Sequence, residues 1–508
     1  MEDETPASSR RDIRLAEILT PPFRTDLVYL LVPFAAALLV MSFLPLRSWE
    51  YWWHITVGRL IHVYGAVPDA NHYVYTVAEE APSFVQPWMS DWVLFQFHDL
   101  GGVYAVLTLR NLLVGIAFTV VGWLAARRTG SMLSGAALAV AGLALSLVAA
   151  VAGPATIALP VFVAILGVSY AVRQRELPLW TVAVIPGLAV FWANLDGSFL
   201  MPAAVGAAFA TSAWLDLRDD QESGEARRAW TWTGATLASL AAPLLNPRGT
   251  EIIRFAQRLV GDRRAADVVA EWAPMTFSGS SPEVLGFVVA VVVATVAMAR
   301  ARTRLDPVDA LLVAGAALGA IFAVGQLLWF GPIFALAIAP YAPWQPKVSR
   351  QASPEWTRQF RNLFLAFLIV AGGIGLQRLT KAQNTFVNRL QPFPARKEMP
   401  LAGVVLPETP VVQTAVLDRT GRHLRVFHDR RYAGFLIYEL TEGEPGRVVF
   451  LDHRPELIPP ETWKLYDVLN SGKAWRGVFQ QYDVRAAVLN KRTQARLVEA
   501  MREHPNWS

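Results

Sequence analysis

Residues 131–152 read SMLSGAALAVAGLALSLVAAVA and contain no Asp, Glu, Lys or Arg. A bilayer core takes roughly 20 apolar residues in helical form, and a helix satisfies its own backbone there without water. This stretch therefore reads as a membrane span. Similar runs extend outward from it at 26–45 and 102–126 on one side. On the other side lie 154–172, 178–194, 199–216, 229–246, 283–299, 308–325, 328–343 and 361–377. Together they predict an all-α polytopic membrane domain over 26–377 with about eleven spans. Several runs are rich in Gly, Ala and Pro, which membrane helices tolerate where neighbours pack closely. Composition agrees: 54% of the chain is hydrophobic and 17% charged, against about 25% charge in a soluble chain.

Residues 1–25 form a polar tail, and the apolar run after it is too long for a signal-peptide core, so 26–45 reads as an uncleaved first span. Lys and Arg at the span ends set orientation. Arg10, Arg11, Arg14 and Arg24, then Arg127 and Arg128, Arg173 and Arg175, and Arg227 and Arg228 fall on one side when the spans alternate. Arg300, Arg302, Arg304, Lys347, Arg350 and Arg358 continue the series. That side is expected to be cytoplasmic, with the N-terminus. The extracytoplasmic side then receives loop 46–101, the turn at Asn194–Ser198, loop 247–282 and everything after Gln377. The net charge of +5 follows these flanking arginines rather than a patch, which argues against a nucleic-acid partner. Cysteine is absent, so neither a disulfide framework nor a thiolate metal site is available.

The tail changes character. Prolines 392, 394 and 400 suit a linker. Arg447–Leu451 and Val484–Leu489 read as short buried strands, while Thr462–Leu469 and Thr493–His504 have the apolar spacing of amphipathic helices. A small extracytoplasmic αβ domain is expected over 378–508.

Loop 46–101 is long and keeps its aromatics: RSWEYWWHITVGRLIHVYGAVPDANHYVYT at 47–76, then PWMSDWVLFQFHDLGG at 87–102. Such a loop is normally structured and functional. From Trp49 to Tyr64 the spacing suits a helix lying in the membrane interface, with an aromatic belt as the plainer alternative. Glu50, His54, Asp69 and Asp91 lie in this loop, Asp196 in a turn between spans, and Glu271 in a later loop. Carboxylates gathered at one membrane face suit a general base or oxygen ligation of a divalent cation; solvated loop acids are the plainer alternative. Asp196 is the strongest single candidate, because an acid flanked by apolar spans is costly to place. Arg254, Arg258 and Arg263 can hold a phosphate by bidentate contacts or, more commonly, anionic lipid headgroups. No P-loop, dinucleotide fingerprint, HExxH motif or nucleophile elbow occurs. Transport is the weakest class, since no charges line successive spans and no inverted repeat is visible.

The run EYWWHITVGRLIHVYGAVPDANHYVYT at 50–76, followed by PWMSDWVL at 87–94, resembles a family of bacterial polytopic membrane proteins related to the GT-C glycosyltransferases. Members of that family typically read D-x-D-x-WWH-x-x-x-GR, then W-x-x-HEWL. Downstream, NLDGSF at 194–199 is similar to the family's NxHGGF, Asn246-Pro247-Arg248-Gly249 to its NPxG, and Glu271-Trp272 to its EW. RVFHDRRYAGFLIYEL, VVFLDHRPEL and Trp507 resemble its C-terminal domain. The resemblance implies a GT-C-like fold in the bacterial cytoplasmic membrane. It implies a sugar moved from a polyprenyl-phosphate donor to an extracytoplasmic acceptor, and in some relatives a divalent cation. Where the family has its two first-loop acids, this chain has Ser48 and Glu50; HEWL has become Ser90-Asp91-Trp92-Val93, and the family's histidine has become Asp196. Two outcomes follow. Either the site is rebuilt around Glu50, Asp91 and Asp196, with His54, Arg254, Arg258, Arg263 and Glu271 toward the substrate, or the fold persists as a non-catalytic scaffold or assembly subunit. In the second case loop 46–101 or the tail would bind protein partners.

Overall fold

The computed structural model describes residues 27–44, 50–83, 85–219, 223–253, 272–277, 281–301, 305–342, 425–441, 445–452, 454 and 457–504. The expected span 361–377 and the proline linker lie outside them.

Helices dominate. In the first part they are α1 (Leu27–Phe43), α2 (Tyr51–Tyr64), α3 (Trp88–Thr129), α4 (Met132–Ser146), α5 (Pro154–Arg173) and α6 (Val184–Trp192). They continue with α7 (Met201–Asp219), α8 (Ser223–Ala241), α9 (Pro282–Arg300), α10 (Pro307–Phe322) and α11 (Leu327–Ala337). Among the described residues three helices, α3, α5 and α9, are long and apolar enough to cross a membrane. The other expected spans within the described residues fall on shorter or less apolar helices. For example, 178–194 divides into a 3-10 turn at Leu179–Ala183 followed by the nine residues of α6. Three of the expected spans therefore fall on membrane-length helices among the described residues. On α9, Leu285, Val289 and Val292 point outward and are more than half exposed, which suits an apolar surround.

α3 is 42 residues long and contains one break, at Gly101 and Gly102. Gly102 has φ +60° and ψ −155°, a region open essentially to glycine alone. The break divides α3 into a first part, 88–100, and an apolar part, 103–129, that corresponds to the expected span 102–126. Within the bundle, helices meet at small residues. A Cβ on Gly142 would lie 2.5 Å from the Gly331 carbonyl oxygen, so α4 and α11 touch backbone to backbone. Arg110, buried inside α3, donates to the carbonyls of Met41 and Leu44 at 2.7 and 3.1 Å and so caps the C-terminal end of α1.

The far ends of the helices are tied by charge. Arg128 on α3 binds both carboxylate oxygens of Asp309 on α10, at 2.9 and 2.7 Å. The hydroxyls of Tyr170 and Tyr341 donate to the same carboxylate, each at 2.7 Å. Arg173 on α5 pairs with Asp216 on α7 and with Asp306. Arg128 and Arg173, counted from the sequence as topogenic charges, thus also join four helices.

The tail contributes β1 (Val426–His428), α12 (Ala433–Thr441), α13 (Pro460–Asn470), α14 (Trp475–Gln481), β2 (Ala486–Val488) and α15 (Ala495–Arg502). β1 and β2 pair in parallel, Phe427 opposite Ala487. On the other side of β1, Val426 bridges Val449, and Val449 in turn bridges Val74 of loop 46–101. The loop therefore supplies the edge of the tail's sheet. Tyr75 N donates to Val449 O at 3.0 Å, and Val448 N to Tyr73 O at 2.9 Å. One hydrophobic core runs from Tyr51, Trp52, Tyr73 and Leu94 into Phe427, Leu436, Phe450 and Phe479, while a second fills the helix bundle around Phe118, Phe162 and Phe330.

Candidate functional site

α2 starts after Glu50 and ends at Gly65, whose φ of 66° closes it with a bond to Ile61 O. It crosses the first part of α3 at Gly58. A Cβ there would lie 2.1 Å from the Asp91 carbonyl oxygen, so only glycine permits this approach. One turn earlier on the same face is His54. The crossing brings His54 Nδ1 to 2.7 Å from Asp91 Oδ1. Glu50 Oε2 lies 3.8 Å from His54 Nε2. Three of the sequence candidates thus form a line, Glu50–His54–Asp91. His54 and Asp91 are buried, and the Glu50 side chain keeps 27% of its surface. Asp91 Oδ2 is buried without a hydrogen-bond partner among the described residues.

Burial would push the imidazole toward its neutral form. The carboxylates of Asp91 and Glu50 more than offset this and raise the His54 pKa to about 10. Burial raises the Asp91 carboxyl as well, against the attraction of His54. The raised His54 value means that the pair holds a proton at neutral pH.

Asp196 joins from the turn after α6. Its carboxylate accepts from Ser198 N at 2.9 Å and from the Ser198 hydroxyl. Burial lifts its pKa, and hydrogen bonds from Ser198 and Gly197 and the charge of His54 pull the other way. The start of α3 holds this turn closely. Gln86 Nε2 donates to Ala193 O and Asp196 O at 2.7 and 2.8 Å, Ser90 Oγ to Leu195 O at 2.7 Å, and Trp88 Nε1 to Asn194 Oδ1 at 2.7 Å. Asn246 Nδ2 adds bonds to Ala193 O and Asn194 Oδ1 at 3.1 and 3.2 Å. The segments PWMSD, NLDGS and NPRG, remote in sequence, meet at one place.

Two arginines that sequence reasoning did not single out as site residues close the edge beside Trp53. Arg248 Nη2 donates to Ser83 O at 3.1 Å, and Arg454 Nη1 to Ser83 Oγ at 2.5 Å. The Arg454 guanidinium lies 4.4 Å from the Trp53 ring centre. Each is balanced by acids: Arg248 pairs with Glu251 and Asp69, Arg454 with Asp452. Asp69 itself is exposed at the loop rim. Gly58 and Arg454 carried a sequence signal, an i+4 spacing from His54 and membership of VVFLDHRPEL, but neither signal names a partner.

Arg254, Arg258, Arg263 and Glu271 lie outside the described residues. Among the described residues no group of three or more His, Cys, Asp or Glu side chains is gathered to hold a metal ion. His54 faces a carboxylate at each ring nitrogen, so the line does not fit an imidazole-ligated cation. His54, expected toward the substrate, stands between Glu50 and Asp91. The arrangement suits proton handling: an accessible carboxylate, oriented by a cationic imidazole that a buried carboxylate anchors.

No protein-family model matches the chain, and no curated protein matches it.

Proposed function

We propose that the chain is a GT-C-like membrane glycosyltransferase of the bacterial cytoplasmic membrane, moving a sugar from a polyprenyl-phosphate donor to an extracytoplasmic acceptor. The membrane-length helices support an embedded protein, and the resemblance of the WWH, NLDGSF and NPRG segments supports the reaction class. In this scheme the chain has about eleven spans, a cytoplasmic N-terminus, and loop 46–101 with the tail outside.

One observation carries the proposal: Glu50, His54 and Asp91 stand in line, and Asp91 belongs to the segment that NLDGS and NPRG meet. Glu50, the accessible member, takes the proton of the acceptor hydroxyl. The acceptor oxygen forms a bond to the anomeric carbon as the bond to the donor phosphate breaks, and polyprenyl phosphate leaves with its electron pair. His54 orients Glu50, and Asp91 holds His54 in place. Asp196 holds the shape of the adjoining turn.

The test uses the purified full chain in lipid nanodiscs with a panel of radiolabelled polyprenyl-phosphate sugars. Release of polyprenyl phosphate in the wild type and its loss in Glu50→Gln, at equal thermal stability, supports transfer; no release across the panel refutes it. A second function, a non-catalytic scaffold, is favoured by one observation. Trp52 and Trp53 are already covered by Tyr438 and Arg454 of the tail. A scaffold leaves envelope glycans unchanged in cells carrying Glu50→Gln.

A further inference from the structure

The tail reaches the candidate site through a partly buried chain of polar contacts that the transfer scheme does not use. Tyr51, next to Glu50, is fully buried. Its hydroxyl lies 2.6 Å from His98 Nδ1, and His98 Nε2 lies 3.2 Å from the Tyr438 hydroxyl. Burial holds the His98 pKa down at about 4, so the ring is neutral, with one nitrogen donating and the other accepting. Beside this chain the Trp52 ring lies against Tyr438, centroids 4.7 Å apart, and edge-on to Phe435 at 5.9 Å. Tyr438 and Phe435 both belong to α12, which therefore packs on α2.

The Gly58–Asp91 crossing fixes how closely α2 approaches α3, and the side-chain contacts on either side of α2 set its rotation about its own axis. With side-chain tips about 5–6 Å from that axis, a roll of about 20° moves a tip by about 2 Å. Such a roll would separate His54 from Asp91. Tyr51 meets His98 and His62 meets Gln96 on the first part of α3, while Trp52 meets Tyr438 and Phe435 of α12, so α2 is held from two sides against such a roll.

We infer that Tyr438 is a positioning residue for the Glu50–His54–Asp91 line, acting through His98 and Tyr51 to fix the rotation of α2. Its effect on turnover rests on the proposed transfer; its effect on His54 does not. The test uses the full chain in nanodiscs with 13Cε1-labelled histidine. The sequence has 8 His, and His54→Gln identifies the His54 resonance by its disappearance. Tyr438→Phe removes the hydroxyl and keeps the ring. The His54 resonance is expected to move, and kcat to fall on the order of 10-fold at unchanged KM. Tyr51→Phe, which cuts the chain at its other end, should move His54 likewise. Tyr466→Phe is the control: its hydroxyl contacts Arg430 N and His428 O within the tail, and its loss should leave His54 in place. An unmoved His54 resonance in both Tyr438→Phe and Tyr51→Phe, or an equal shift in Tyr466→Phe, overturns the inference. A wild type without transfer activity, in which the His54 shift still follows Tyr438, refutes the transferase and upholds the positioning.

Discussion

His54 Nδ1 lies 2.7 Å from Asp91 Oδ1, although 37 positions separate the two residues. Both are buried, so this contact links the proton balance of the protein to the packing of α2 on α3. The folded pair keeps a proton that an unfolded chain releases above the ordinary histidine value of 6.5. A raised folded pKa stabilises fully below the unfolded value and is lost as pH climbs through the folded one. Stability should therefore decline between pH 6.5 and about 10, and the upward displacement of Asp91 has the same sign. Glu50 and Asp196 are the other acids whose charge reaches His54. Melting of the detergent-solubilised chain across this window, compared with His54→Gln, measures it; superimposable profiles would refute it.

Gly58→Ala should weaken the same contact by steric means. The new methyl would meet the Asp91 backbone at 2.1 Å, and backbone on both sides cannot yield as a flexible side chain would. Overpacking of this kind costs about 1–3 kcal/mol. A lower Tm is expected, together with a fall in the His54 titration midpoint toward 6.5. A variant with wild-type values of both would show that the helices do not meet there.

At the other end of α3, Arg128 and Asp309 offer a charge-cycle experiment. Arg128→Met alone leaves the Asp309 carboxylate buried, with only the Tyr170 and Tyr341 hydroxyls as donors. Breaking a buried pair from one side costs about 3–5 kcal/mol, whereas replacing both partners by apolar residues is often neutral. The double variant Arg128→Met/Asp309→Leu should therefore recover most of the Tm lost by the single one. Additive losses would mean that the two side chains do not interact.

Orientation can be tested by single-cysteine labelling, because the chain has no cysteine of its own. Asp91 and Arg454 are both buried and so are unsuited to it. Ala66, Lys473 and Gln174 are exposed. Cysteines replacing Ala66 and Lys473 should react with an impermeant maleimide in intact cells, and one replacing Gln174 only after permeabilisation. Reaction of all three in intact cells would refute the proposed topology.

The sequence made the long apolar helices legible because hydropathy is a sum over many residues. Breaks decided by one or two residues were harder to read. The glycines at 101 and 102 looked like the start of a span, and nothing in hydropathy showed that the helix resumes upstream to Trp88. Val484–Leu489 was readable as a strand and contains β2, whereas β1 at Val426–His428 is too short to display alternation. Glu50, Asp91 and Asp196 were readable as acids on one face. The place of His54 between two of them was not, because it depends on how α2 crosses α3. No pattern within either helix encodes that angle, and it rests on the missing side chain of Gly58.

The sheet edge at Val74 has a consequence for how the protein is made. Its partner Val449 lies beyond the whole bundle in sequence. A ribosome adding about 5–20 residues per second reaches Val449 roughly 20–75 s after Val74. Until then the backbone groups of Tyr73 and Tyr75 lack the partners they have in the finished fold. A chain arrested before the tail emerges would display an unfinished strand next to buried tryptophans, the kind of edge that recruits foreign strands. The arrival of the tail thus completes this sheet, and it separates a chain with a paired edge from one that proteases and chaperones would recognise as unfinished.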